Sequence, residues 1–238
     1  MPLAAHGQRA ASGVGNQRAE RRILVRKVTW RLTLLLAPAW TVFPIHHREQ
    51  TPLTLPDLLL PTYVQMLGAL SKWLAKAEAQ RADGDAQALL AARLAPDMFP
   101  LATQVRFACV QAQEGVFRLR KRDFPPSLRA LLDEGRNAGE RPGTIADAQA
   151  RIAETLGTVE AAAVEGIAVD PATPIAHALP IGMTFDLTAE QYARDWALPQ
   201  FYFHVMTAYA ILRAEGIELG KADYVSHMFA YLRPPAMS

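Results

Sequence analysis

The chain has 238 residues, half of them hydrophobic and a fifth charged, which is too apolar and too weakly charged for a disordered protein and long enough for one domain burying roughly 70% of its unfolded surface. Its one cysteine, Cys109, excludes a disulfide framework and a thiolate zinc cluster. The net charge of +2 divides unevenly: residues 1–50 hold eight Lys/Arg and two Glu, a net of +6, while residues 51–238 hold 17 Lys/Arg against 21 Asp/Glu, a net of −4.

Residues 1–22 are small, polar and Arg-containing with no periodicity, which reads as disorder. Arg26, Lys27 and Arg31 then precede an apolar run, Leu32–Phe43. That order imitates a signal peptide, and Arg21-Arg22 resembles a twin-arginine signal. The run falls short of the ~20 residues of a membrane span, Pro38 and Trp40 interrupt it, and no A-x-A-like site follows. Residues 1–50 are therefore expected to be a basic extension and 51–238 the folded module, a cytoplasmic protein with no membrane partner. Export through residues 1–50 is the alternative. The extension has the charge of a nucleic-acid arm, yet nothing else in the chain supports base or phosphate recognition, so no nucleic-acid partner is expected.

Leu59, Tyr63, Met66, Leu70, Trp73 and Ala77 fall three and four apart, predicting a first helix over Leu58 to about Ala82 with Gly84 as a left-handed cap. A short helix covers Ala86–Ala92. Asp97 reads as the N-cap of a second long helix, with Pro100 in its first turn and Leu101, Val105, Ala108, Cys109, Ala112 and Val116 inward. Cys109 on that face reads as a packed thiol. Arg118, Arg120, Lys121 and Arg122 close the helix, suiting its C-terminal dipole or, alternatively, an anionic ligand. The Pro- and Gly-rich loop Asp123–Gly143 has room for one helical turn at Ser127–Asp133. Thr144 with Asp147 loosely forms a capping box and opens a third helix striped by Ile145, Ala148, Ile152, Leu156 and Val159. Ile167–Val169 and Met183–Leu187 are expected to pair as a small hairpin. Thr188 with Gln191 is a capping box that opens a fourth helix. No charge occurs from Trp196 to Leu212, which predicts a helix buried on every side at the centre of the fold. Four long helices make an all-α four-helix bundle, and the long second and third connections leave room for a crossover.

His204, in the uncharged stretch, is the main candidate for chemistry. A helix-borne metal site wants a second ligand four residues away, but those positions are Gln200 and Ala208. His204 then reads as a neutral buried histidine bonded to another helix, or else as a general acid/base or single metal ligand. Gln104, one turn beyond Pro100, is its candidate partner if it faces inward, and Tyr209 the third member of the cluster. His46-His47 and His6 lie in the extension, His177 in a loop between Pro174 and Pro180, and His227 in the C-terminal segment. No G-x-S-x-G, P-loop or dinucleotide fingerprint occurs.

Leu94-Ala95-Pro96-Asp97-Met98-Phe99-Pro100-Leu101 followed by Gln104-Val105 resembles the second-helix motif of the DUF1993 family. Ala197-Leu198-Pro199-Gln200-Phe201-Tyr202-Phe203-His204 with Thr207–Arg213 resembles its fourth-helix motif, and Gly216–Asp223 its closing signature. The resemblance covers about Leu53–Tyr224. It implies a DinB/YfiT-like bundle, from a superfamily whose enzymes include thiol-dependent transferases holding a divalent metal on three histidines. Here only His204 matches that set, Ala208 stands at its H-x-x-x-H partner position, and no histidine lies between Asp97 and Arg122. Val110-Gln111 after Cys109, where similar proteins often carry polar pairs, weighs against a site there. The expectation is a protein without the metal triad or another cofactor that binds a small molecule at Gln104, His204 and Tyr209. One alternative is a small-molecule transferase or hydrolase using His204 as base or sole ligand of a divalent metal. The other is a self-associating interaction module, a homodimer.

Overall fold

Thr54 starts the first helix. Its hydroxyl accepts a bond from the amide of Asp57, whose carboxylate accepts from the amide of Thr54, so a full capping box opens α1 (Leu55–Gln80) one turn earlier than the apolar stripe indicates. The structure, a computed structural model, describes residues 52–81, 86–179 and 181–233. The expected extension over residues 1–50 and the expected cap at Gly84 lie outside the described residues.

After a 3-10 turn (Ala86–Ala91), α2 runs over Leu101–Leu119. Pro100 stands at its N-cap in extended backbone, with no side-chain cap. Asp97 is not the cap. It lies exposed in a turn closed by the Met98 amide on the Ala95 carbonyl. Proline disfavours helical backbone in the residue before it, so the helix starts only after Pro100.

The loop that follows is more ordered than its composition indicates. It holds α3 (Pro126–Asn137), three turns instead of one, which buries Leu128 and Leu131. Glu134 on α3 meets the fully buried Arg106 of α2 at 2.6 Å and Arg151 at 2.8 Å. Arg151 lies on α4 (Ile145–Glu165), which opens with the Thr144–Asp147 capping box in full. The hairpin pairs β1 (Pro174–Ala178) with β2 (Thr184–Thr188), antiparallel, Pro174 opposite Thr188 and Ala178 opposite Thr184. Ile167–Val169 is not a strand. The turn Leu179–Met183 sets the register: the Leu179 amide bonds the Met183 carbonyl at 2.7 Å, Gly182 takes a φ of +84°, and counting back from Thr184 reaches Ala178.

Residues 189–214 form one helical path with a change of pitch: α5 (Ala189–Gln191), a π-helical turn (Tyr192–Ala197) and α6 (Leu198–Ala214). The Thr188–Gln191 capping box opens it. Pro199 disfavours a regular α-helix here, having no N–H for the carbonyl four residues back and crowding it, although α1 accommodates Pro61. The wider turn lets the Leu198 amide reach Ala193 O instead. A short helix, α7 (Lys221–Tyr224), and a 3-10 turn (Ser226–Tyr231) end the described chain.

In the bundle, α1 packs against α4 and α6, and α2 against the same two, so α1 and α2 face each other across a diagonal. Paired residues give the directions. Tyr63 meets Phe201 and Trp73 meets Tyr209, so α1 and α6 run parallel. Gln113 bonds Thr155 and Arg120 bonds Ala162, so α2 and α4 also run parallel, against the first pair. The order is up-down-down-up, the crossover the long connections allow.

The central helix is α2, not α6. Along α6, Phe203 is 56% and Met206 40% exposed. On α2 nearly every residue from Leu101 to Val116 is buried, polar ones included. Those polar side chains are paired: Thr103 donates to Gly135 O, Arg106 to Glu134 and Ala102 O, and Gln113 to Thr155. Hydropathy alone therefore picks the wrong helix for the centre, since a satisfied polar group is cheap to bury.

Candidate functional site

His204 lies on α6, 8% exposed, its ring edge-on to Phe107 and Phe203. Its Nδ1 is 2.8 Å from Oε1 of Gln104. The Gln104 amide nitrogen donates to the carbonyl of Phe99 at 3.1 Å, which turns the amide oxygen toward the ring. Nδ1 therefore carries the proton and donates, and Nε2 keeps its lone pair. Burial pushes the His204 pKa down to about 4, so the ring is neutral at pH 7 and a weak base. Gln104 and His204 are thus brought together. Tyr209 is not: five residues on, it points about 140° round the helix. It packs edge-on against Trp73 at 5.2 Å and against Tyr224 at 6.3 Å, helping to seat α7 on α1. Cys109 is fully buried, and burial pushes its thiol up to about 12.

A cleft of about 460 Å³ opens further along the same α2–α6 seam, where α3 and the hairpin close over it. Gln111 and Glu114 of α2, Arg129 and Arg136 of α3, His177 of β1 and Trp196 of the π turn line it. Here buried polar atoms stand without partners: Gln111 Oε1, both ring nitrogens of His177 and Trp196 Nε1. Tyr192 Oη, in the layer beneath, is unpaired too, with its ring 5.5 Å from that of His177. The His177 ring lies 4.4 Å from that of Trp196. Strand alternation puts it there, since Thr173, Ile175 and His177 face inward while their neighbours face out. The π turn brings both Tyr192 and Trp196 to the seam.

Electrostatics in the cleft are unusual. Burial, assisted by Arg118, pushes the His177 pKa down to about 4. Burial pushes Glu114 up to about 7, against the pull of Arg118 and Arg136. The cleft thus holds a neutral imidazole able to donate and accept, an indole donor, an amide acceptor and a carboxyl near its midpoint at neutral pH. The sequence does not mark these residues as a site: His177 stands between Pro174 and Pro180, and Gln111 follows the buried Cys109 and Val110. The Thr173, Ile175, His177 alternation is the signal that would have found the histidine.

The family model of DUF1993, a domain of unknown function, matches residues 55–225. The chain belongs to the DUF1993 family. Among solved structures, this DUF1993 protein is similar to a DinB family member protein from Shewanella denitrificans. The two are 32% identical over 77% of this chain and 95% of that chain, with a TM-score of 0.56. No curated protein matches. The fold is thus the DinB-like bundle its motifs imply.

The residues of this DUF1993 protein do not fit the three-histidine metal that a DinB-like fold implies. His204 keeps one donor atom, Nε2, since Nδ1 donates to Gln104, and the Gln104 amide is itself committed to Phe99. Ala208 offers no donor. Among the described residues, no group of three or more His, Cys, Asp or Glu side chains is placed to hold a metal ion. Also among the described residues, no helix is long and apolar enough to cross a membrane.

Proposed function

We propose that this DUF1993 protein binds a small molecule in the cleft between α2, α3, the hairpin and the π turn, without a bound metal. The observation that carries the reading is the set of unpaired buried polar atoms on Gln111, His177 and Trp196 around one opening. Leaving a buried polar atom unpaired costs about 1–3 kcal/mol, so folded proteins hold few of them. Grouped on one cleft with apolar walls, they form the pattern of a binding site. The π turn supports it, since such turns recur at functional sites. His204 and Gln104, by contrast, satisfy one another and serve as packing, with Gln104 fixing the ring.

Thermal-shift screening of a diverse small-molecule library tests this, run on the full chain and on Gln111→Trp, which fills the cleft. The reading expects compounds that raise the melting temperature of the wild type and lose that effect in the variant. A library in which every stabilising compound acts equally on both proteins, or in which none acts, overturns it.

A further inference from the structure

We propose that the ligand of this cleft is a small organic carboxylate, its apolar body against Trp196 and Phe124 and its anionic group held by the guanidinium groups of Arg129 and Arg136. The inference rests on the binding reading above and adds the chemical class.

Charge points to an anion. Two arginines and one acid line the cleft. A third guanidinium, that of Arg118, sits 4.6 Å over the ring of Phe124, a lining residue, and its Nε is buried without a partner. The acid does not cancel this field, because burial holds Glu114 near its midpoint at pH 7, and in its protonated form it donates a hydrogen bond to an anion. The lining arginines are available. Arg136 makes an exposed bridge to Asp133 at 3.4 Å, the kind worth little, and attracts Glu114 across the cleft, and Arg129 has no ion pair among the described residues. Guanidinium groups meet carboxylates in a planar two-bond geometry.

Size and polarity narrow the class. Val110, Leu128, Leu132 and Leu179 make the rest of the wall apolar, which suits an alkyl or aryl body and disfavours a small, fully hydrated ion. A dianion meets more repulsion than a monoanion from the ionised fraction of Glu114. The combination favours a monocarboxylate over inorganic phosphate.

Isothermal titration of the full chain at pH 7 tests the class with benzoate, phenylacetate and hexanoate, each beside its amide, and with phenethylamine and inorganic phosphate. The expected result is at least one carboxylate binding tenfold or more tighter than its own amide, with no binding of the amine. Arg129→Gln and Arg136→Gln, both at exposed positions, should each weaken that carboxylate about tenfold while leaving the melting temperature of the free protein unchanged. Amides that bind as well as their acids overturn the class and leave the cleft reading standing. So does the absence of binding by every acid while neutral library compounds still lose their effect in Gln111→Trp. Phosphate binding tighter than every carboxylate also overturns it.

Discussion

Gly115 shows how closely single residues are fitted. A methyl group built there would collide with the hydroxyl of Tyr63, which is itself fully buried and unpaired. The two positions make opposite predictions. Gly115→Ala should lower stability by about 1–3 kcal/mol, because the added carbon has nowhere to go. Tyr63→Phe removes a polar atom that has no partner, and should be neutral or stabilising by up to about 1 kcal/mol. Urea unfolding of the three proteins checks both, and a Tyr63→Phe variant less stable by more than 1 kcal/mol would show that the hydroxyl is bonded. At this scale the sequence was partly readable. Helix positions make Gln104 a candidate partner of His204 if it faces inward, and the structure brings the two together at 2.8 Å. His177 and Glu114 were not readable in this way. Glu114 is covered by α3 and the hairpin and His177 packs on Tyr192 and Trp196 of the π turn, so their character comes from other elements, and no local pattern around a single glutamate announces that it will be buried.

Two helix starts are legible in the sequence, while those of α1 and α2 lie elsewhere than the apolar stripe and Asp97 indicate. Thr144 and Thr188 each bond the amide three residues on, and the residue there bonds back, so the signal and the structure share the same four residues. Thr188→Ala should cost about 1 kcal/mol, read as a lower urea midpoint, because it orphans the amide of Gln191. It should also loosen the start of the path that carries the π turn, so amide hydrogen exchange over Ala189–Ala197 should quicken while that of α2 stays slow. Equal exchange in both proteins would mean that the hairpin, not the cap, fixes this segment. The π turn itself has a sequence cause in Pro199, but the remedy is a tertiary choice. A kink or a break would equally have accommodated the proline, and packing of Tyr192 and Ala193 in the core favours the wider turn. The hairpin shows the same division. Met183–Leu187 reads as a strand from its own residues and lies within one residue of the observed Thr184–Thr188, whereas Pro174–Ala178 becomes its partner only through pairing in the fold.

For the molecule as a whole, acid sensitivity is a sum over buried groups. His177 and His204 are held near 4 in the fold against 6.5 in the unfolded chain, so the unfolded state takes up their protons first. The stability they lend is full above pH 6.5 and is lost as pH falls from 6.5 toward 4. Glu114, raised from 4.5 to about 7, acts in the opposite sense: its contribution is full below 4.5 and is lost as pH rises to 7. Between pH 4.5 and 6.5 two groups outweigh one. Stability should rise with pH by at most about 1.4 kcal/mol per unit, and by less where water in the cleft screens His177. Glu114→Gln removes the opposing group and should steepen the rise. Denaturant midpoints at pH 5 and pH 6.5 measure both slopes, and a flat wild-type profile would mean that the histidines keep their protons when folded.

The sequence by itself determined the helical class, the starts at Thr144 and Thr188 and the motifs that place the chain in DUF1993, and it offered Gln104 as a candidate partner of His204, because caps, periodicity and motifs are written in neighbouring residues. Only the tertiary structure decided which helix is central and where the polar atoms are left unpaired. The first depends on whether Thr103, Arg106 and Gln113 find partners on other helices, and they do. The second depends on α3, the hairpin and the π turn meeting at one opening. Both are properties of residues far apart in the chain, and the cost of burying a polar atom is set by what stands opposite it.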